Sequence, residues 1–178
     1  MAEVLSALFL PALREIGELW QENSIVAADQ ALASRVYDFV IDQVWPDVPP
    51  TTRRGSVIIA APEGEQHTFA ARLTSLGLSV EGWSVLDLGA DVAVADVEAA
   101  LATAEDVQGL IVHGASTSCL PAALTMIDAA TRHGAGVVVA GGGFGKMGRY
   151  GCMLGAAGWA MQPGVAVTSQ LPVAVSLS

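Results

Sequence analysis

Basic residues, cysteines and long apolar runs are all scarce in this 178-residue sequence, and each scarcity excludes a class of protein. Only 8 lysine and arginine residues stand against 18 aspartate and glutamate residues, which argues against nucleic-acid binding by this chain itself. The two cysteines, Cys119 and Cys152, provide neither a disulfide framework nor metal-ligand spacing, so we expect reduced thiols in a cytoplasmic protein. No run approaches the ~18 apolar residues that span a bilayer, and the first residues lack the basic region of a signal peptide, so no membrane association is expected.

Residues 1–45 predict a helical cap of two helices that form only part of a bundle. The first should run continuously from Pro11, because proline is disfavoured inside a helix. The second places an apolar face at three- and four-residue spacing, formed by Leu32, Val36, Phe39, Val40 and Val44. Two helices are too few to enclose a core, so they must pack on the following domain, on missing sequence or on another copy. Self-association or a protein partner is expected. Residues 46–55 are rich in proline and predict a linker.

The remaining residues, 56–178, predict an α/β domain. Short β-branched runs alternate with alanine-rich helical stretches, which is the pattern of buried parallel strands with crossover helices. The predicted strands are 56–62, 84–89, 109–115 and 136–142, and the predicted helices lie near 68–78, 94–104, 120–133 and 144–157. A last helix is expected within 163–178. We therefore predict a flavodoxin-like, doubly wound parallel sheet.

Three loops that follow strands carry the candidate ligand-binding and metal-binding residues. In a doubly wound sheet these loops gather outside the carboxyl ends of the strands, where ligands bind. Glycines there admit a bulky ligand, hydroxyls offer neutral hydrogen bonds, and an imidazole beside a carboxylate suits a metal-ligand pair. The candidate residues are Glu63, Glu65 and His67 in the first loop, Ser116, Thr117 and Ser118 in the second, and Gly141, Gly142 and Gly143 in the third.

Several enzyme classes are excluded because the sequence lacks the residues that they require. The "GGGFG" run is not a dinucleotide fingerprint, no P-loop lysine pattern is present, and "GASTS" lacks the spacing of a nucleophile elbow. With no visible catalytic base or nucleophile, a non-catalytic binding module is expected. Three scattered histidines are also too few for a zinc site. A single histidine can hold a metal that arrives with its other ligands attached, which leaves two macrocyclic cofactors open, haem and a corrinoid.

Residues from about 56 to 160 resemble the cobalamin-binding domain of methionine synthase, corrinoid methyl carriers and cobalamin-dependent light-responsive regulators. The family motif D/E-x-H-x-x-G follows the first strand, and here reads Glu65-Gln66-His67-Thr68-Phe69-Ala70, with alanine in place of the final glycine. The segments "GWSVLDLGADV", "GGGFG" and "LGAAGWA" are similar to family elements and occur in the expected order. The resemblance implies cobalamin bound with its own base displaced and with His67 as the lower ligand to cobalt. Glu65 would be the partner of His67, with Glu63 as the competing carboxylate.

The same resemblance implies roles for the other candidates, each beside a structural alternative. Ser116, Thr117 and Ser118 would hydrogen-bond the buried nucleotide base, or would only cap strand and helix ends. Gly141, Gly142 and Gly143 would give room for the nucleotide tail, or would only form a tight turn. The N-terminal helices resemble the second half of the family's helical bundle. Trp20 would stack over the upper face of the corrin, or would be a core aromatic.

The resemblance favours a sensory or regulatory module, with light as the expected stimulus. Glutamate in the motif is more typical of the regulators than of the methyl carriers, which more often have aspartate. Gln30 and Ala31 stand where the light-responsive regulators have a Glu-His pair, so part of the upper-face signature is missing. The alternative is a corrinoid methyl-carrier protein that serves a methyltransferase system. Haem bound through His67 is the third hypothesis.

Overall fold

The computed structural model describes residues 5–44 and 54–160, which fall in two units, Met1–Pro49 and Pro50–Ser178. The first unit is helical. A π-helical turn, Leu5–Phe9, leads directly into α1, Leu10–Gln21, and a short turn separates α1 from α2, Ala27–Val44. The helical conformation begins before the predicted start at Pro11, because a proline in the first turn needs no N–H of its own.

The second helix, α2, has two apolar sides. On one side Ile41 is only 1% exposed, and the ring of Tyr37 meets that of Phe9 edge-on at 5.8 Å. The apolar face predicted from the sequence lies on the opposite side of α2. Its side chains are exposed by 63% at Leu32, 53% at Val36, 64% at Phe39 and 37% at Val40. The spacing identifies an apolar face of α2, but in the structure the other side of the helix is the covered one.

Over residues 54–160, the described part of the second unit, five parallel strands form one sheet flanked by helices. Its strand order is β2-β1-β3-β4-β5, which confirms the predicted flavodoxin-like, doubly wound fold. The strands are β1 Ser56–Ala60, β2 Ser84–Asp87, β3 Val107–His113, β4 Gly136–Ala140 and β5 Gly158–Ala160. The helices are α3 Phe69–Val80, α4 Val94–Thr103, α5 Leu120–Arg132 and α6 Arg149–Met153.

The core lies on both faces of this sheet. Consecutive residues Val57, Ile58 and Ile59 of β1 are all fully buried, although their side chains alternate between the two faces. A strand that is covered on both sides has to be apolar at every position, which is why these strands read as continuous apolar runs instead of alternating ones. This arrangement buries the strands and leaves the loops at the carboxyl edge of the sheet to carry the chemistry.

The segment after β4 differs from its prediction. Instead of a helix over 144–157, two short 3₁₀ turns precede α6, which has only five residues. Gly145 and Gly148 have φ angles of +78° and +63°, which interrupt a right-handed helix. The fifth strand, Gly158–Ala160, had no separate signal in the sequence. Most of the predicted linker, 46–55, and the predicted last helix, within 163–178, lie outside the described residues. Within the described ranges, no helix is both long and apolar enough to cross a membrane.

Candidate functional site

The candidate site lies at the switch point of the sheet. After β1 the chain forms β2 on one side of that strand and later returns to form β3 on the other side. The loops that leave β1 and β3 therefore face each other at the carboxyl edge, where open α/β sheets bind ligands. The first of these loops carries Glu65 and His67, and the second carries Ser116, Thr117 and Ser118.

A single carboxylate, that of Glu65, joins the two loops. The residue is 2% exposed, and its Oε1 accepts a hydrogen bond of 2.9 Å from the backbone N–H of His67. The same Oε1 lies 2.7 Å from Nδ1 of the His67 ring. Oε2 accepts bonds from the backbone N–H groups of Ala115, at 2.7 Å, and Ser116, at 3.2 Å. The carboxylate is thus buried with both oxygens engaged.

These bonds decide the charge of Glu65. Burial by itself would raise the pKa of the carboxyl group, but the hydrogen bonds from His67, Ala115 and Ser116 outweigh burial and lower the pKa below its usual value. Glu65 is therefore ionised at neutral pH and can only accept hydrogen bonds. In the neutral imidazole of His67, Nδ1 must then carry the hydrogen, which leaves Nε2 with a free lone pair.

The imidazole of His67 is presented outward from this anchored position. Its side chain is 60% exposed, while Glu65 behind it is almost completely buried. Glu63, the competing carboxylate in the sequence, is exposed, whereas Glu65 makes the contact with the ring. A buried carboxylate that orients an accessible imidazole is the arrangement found behind many metal-ligating histidines.

The loop itself is held by Asp91, which the sequence did not single out. Its Oδ1 accepts a 2.7 Å hydrogen bond from the N–H of Gly64, and its own N–H donates to the carbonyl of Glu65 at 3.1 Å. Gly64 has a φ of +83°, which suits glycine at this sharp turn. Asp91 belongs to the segment "GWSVLDLGADV", whose similarity to a family element and whose place after β2 were the sequence signals for this loop.

The hydroxyl residues of the second loop make local bonds. The Oγ of Ser116 accepts hydrogen bonds from the backbone N–H of Ser118, at 3.3 Å, and from the Ser118 hydroxyl, at 3.0 Å. Ser116 thereby caps the short 3₁₀ turn Thr117–Cys119 that leads into α5. The capping alternative accounts for Ser116, while hydrogen bonding of this loop to a nucleotide base stays a prediction.

The glycines after β4 lie against the second loop. A Cβ added at Gly143 would approach the backbone oxygen of Ser116 to 2.5 Å, and one at Gly141 would collide with the carbonyl of Gly114. Gly142 has ordinary space, since its Cβ would lie 3.8 Å from the oxygen of Ala115. Close packing of two backbones therefore explains Gly141 and Gly143 without a ligand, and room for a nucleotide tail stays a prediction.

Two further titratable groups lie near Glu65. Burial lowers the pKa of His113 to about 4 and raises the pKa of the Cys119 thiol to about 11, so both are neutral at neutral pH. Neither residue was a site candidate in the sequence. Trp20 belongs to the helical unit, where its side chain is 48% exposed, and its stacking over a corrin stays a prediction. Among the described residues, no group of three or more His, Cys, Asp and Glu side chains could hold a metal ion.

The geometry defines a doubly wound α/β domain with a carboxylate-anchored histidine at its switch point, and its relatives in sequence are corrinoid proteins. No protein-family model matches the chain. Trimethylamine corrinoid protein 2 of Methanosarcina mazei is 26% identical over 96 residues, which are 52% of this chain and 44% of that protein. Trimethylamine corrinoid protein 1 of Methanosarcina acetivorans is 24% identical over 96 residues, with the same shares covered. The match thus spans less than half the length of these curated relatives.

Solved structures with the same fold include two proteins of related description. The monomethylamine corrinoid protein of Methanosarcina barkeri superposes with a TM-score of 0.73 at 18% identity, over 89% of this chain and 76% of that one. A cobalamin-binding protein of Desulfitobacterium hafniense gives 0.57 at 20% identity, over 94% and 80% of the two chains. At such identities the likeness concerns the fold alone. Together with the curated relatives, it confirms the resemblance to the cobalamin-binding domain family that the sequence predicted.

Proposed function

We propose that this chain binds a corrinoid and serves as the methyl-carrier protein of a methyltransferase system. This is the alternative from the sequence, and the curated relatives favour it over the light-responsive module that the motif alone suggested. Those relatives are named as trimethylamine corrinoid proteins, so a methylated amine is the class of methyl donor to test first. A protein partner that supplies or removes the methyl group forms part of the proposal.

The observation that carries the proposal is the pairing of Glu65 with His67. With Nδ1 held 2.7 Å from a buried carboxylate oxygen, the neutral imidazole offers Nε2 as a ligand from an accessible position. One histidine suffices for cobalt in a corrinoid, because the ring already supplies four nitrogen ligands. When bound, a corrinoid supplies a metal centre that accepts and gives up a methyl group. The donor set of the loop therefore fits this cofactor.

Each residue at the site has a part in this binding. His67 would provide the lower ligand, and Glu65 would hold the ring in the correct tautomer and increase the basicity of Nε2. Ala115 and Ser116 would keep Glu65 ionised through their backbone N–H groups. Asp91 would hold the turn that presents the pair. No residue of the chain has to act as an acid or a nucleophile for this function.

The test is reconstitution of the full chain with hydroxo-, methyl- and adenosylcobalamin and, separately, with haem, followed by gel filtration and absorption spectroscopy in the dark and after illumination. A carrier retains the corrinoid and, after chemical reduction, takes up the methyl group of labelled methyl iodide with release of iodide and without a change of particle size. A change of size on illumination of the adenosyl form would support the light-responsive module instead. Failure to retain any corrinoid, with haem retained, would support the haem hypothesis.

We also propose that α2 pairs with α2 of a second copy. The face formed by Leu32, Val36, Phe39 and Val40 is exposed along two turns of the helix. In an antiparallel two-fold arrangement centred near Val36, each face covers its own equivalent. Four side chains provide less than the ~800 Å² per partner of a standard interface, so the pairing should be weak and concentration dependent.

Sedimentation velocity over a range of protein concentrations tests this pairing. Replacing Val36 with lysine is expected to abolish the dimer while leaving the fold intact, because the side chain is already 53% exposed. Ala31→Lys, an exposed position of the same helix outside the apolar face, is the control and should dimerise like the unaltered chain. A wild-type chain that stays monomeric at every concentration would exclude the pairing.

A further inference from the structure

His113 occupies the switch point but is not used by the proposed function. It is the last residue of β3, the strand that lies beside β1, and it precedes the loop whose N–H groups hold Glu65. Only Gly114 separates His113 from Ala115, whose N–H donates to the carboxylate of Glu65.

The ring of His113 carries an unsatisfied polar atom. The residue is 3% exposed, and its Nδ1 is enclosed without a hydrogen-bond partner among the described residues. Nearly all buried polar groups in native proteins have a partner, because an unpaired one keeps the cost of its desolvation. Since burial also keeps this imidazole neutral at physiological pH, one ring nitrogen is a donor and the other an acceptor. A neutral polar group is the expected partner.

Gly141 lies against one edge of this ring. A Cβ added there would lie 3.3 Å from Cε1 of His113, the carbon between the two ring nitrogens. Gly141 also has a φ of +101°, which an L side chain rarely adopts. Sequence and backbone thus both exclude a side chain beside the polar edge of the imidazole.

We propose that Nδ1 of His113 hydrogen-bonds a polar group of the nucleotide tail of the bound corrinoid. The proposal rests on the proposed function, because it needs the corrinoid to be present. The different burial of the two histidines decides which part of the corrinoid each would contact, the corrin ring or the nucleotide tail. His67 is 60% exposed and accessible to a broad, flat macrocycle, whereas His113 is buried, out of reach of such a ring, and would have to meet a narrower part of the same molecule. His113 is then a residue that determines specificity for corrinoids with a nucleotide.

The test compares cobalamin with cobinamide, which has the same corrin ring but no nucleotide. We expect His113→Leu to weaken cobalamin binding about 10-fold and to leave cobinamide binding unchanged, as for the loss of one buried hydrogen bond. The ratio of the two dissociation constants is the readout, because it does not depend on the fraction of folded protein. His113→Asn, which keeps a polar side chain, should preserve part of the preference. Without ligand, His113→Leu should be at least as resistant to urea as the unaltered chain, since it removes an unpaired polar group.

The outcomes separate this inference from the proposed function. If the unaltered chain binds neither compound, the proposed function fails and the inference fails with it. If it binds cobalamin and His113→Leu leaves the ratio unchanged, the function stands and the inference is wrong. An equal loss of affinity for both compounds would mean that His113 supports Glu65 and His67. It would also exclude a contact between His113 and the nucleotide tail. If His113→Leu is less resistant to urea and the ratio of the two dissociation constants is unchanged, Nδ1 has a hydrogen-bond partner within the protein.

Discussion

Replacement of His67 by alanine is expected to remove the spectral features of histidine-ligated cobalt and to weaken corrinoid retention. The loss should be at least the roughly 10- to 100-fold that follows when a partner of a metal ligand is removed, since here the ligand itself is lost. The fold should survive, because the imidazole is 60% exposed and contributes little to the core. Absorption spectra of the reconstituted variant and its dissociation constant for cobalamin are the measurements.

The control for this change is His133→Ala. His133 is exposed where α5 ends, so its loss removes an imidazole without touching either loop of the site. Its spectrum and affinity should match those of the unaltered chain. Identical spectra for the two variants would show that cobalt, if bound, takes its lower ligand from elsewhere, and would remove the main support for the assignment of Glu65 as well.

Replacement of Glu65 by alanine is expected to have the largest effect on stability of any single change at the site. The carboxylate accepts backbone hydrogen bonds from His67, Ala115 and Ser116, and alanine would leave all three donors without this acceptor. A loss of about 3 kcal/mol in the free energy of unfolding follows from the cost of unpaired buried groups. Urea denaturation of the chain without cofactor measures it. Glu63→Ala, an exposed carboxylate in the same loop, is the control and should stay within about 0.5 kcal/mol of the unaltered chain.

The pH dependence of unfolding tests the charge of Glu65. Because the pKa of this carboxyl is lower in the folded chain, its contribution to stability is complete above the ordinary glutamate pKa. The contribution is lost as the pH falls through the lowered folded value. Glu65→Gln cannot titrate, so its stability should depend less on pH in that acidic range. Equal slopes for the two proteins would mean that Glu65 is not held ionised by its hydrogen bonds.

The sequence indicated the fold through patterns that depend only on neighbouring residues. Continuous apolar runs such as "SVIIA" and "GVVVA" predict strands covered on both faces, and the alanine-rich stretches between them predict crossover helices. The sequence did not reveal that the predicted helix after β4 is interrupted. The interruption comes from the left-handed backbone angles of Gly145 and Gly148, which composition alone does not show. The three-residue strand β5 was too short for any period to be recognised.

The apolar face of α2 shows a different limit of sequence reasoning. Spacing identifies Leu32, Val36 and Phe39 as one face, but spacing does not say whether a face is covered by its own chain. On the opposite side, the ring of Tyr37 contacts that of Phe9, and Ile41 is buried. A helix with two apolar sides satisfies the same periodic pattern twice, and only the three-dimensional structure distinguishes them.

The sequence by itself determined the alternation of strands and helices as far as β4, and that Glu65 and His67 follow the first strand. The tertiary structure alone decided what Glu65 binds: its partners Ala115 and Ser116 are 50 and 51 residues away, and they act through backbone N–H groups. Every residue except proline has such a group, so no letter of the sequence marks it as a ligand of a carboxylate. The same holds for the unpaired nitrogen of His113, because burial and the lack of a partner exist only after distant segments have packed.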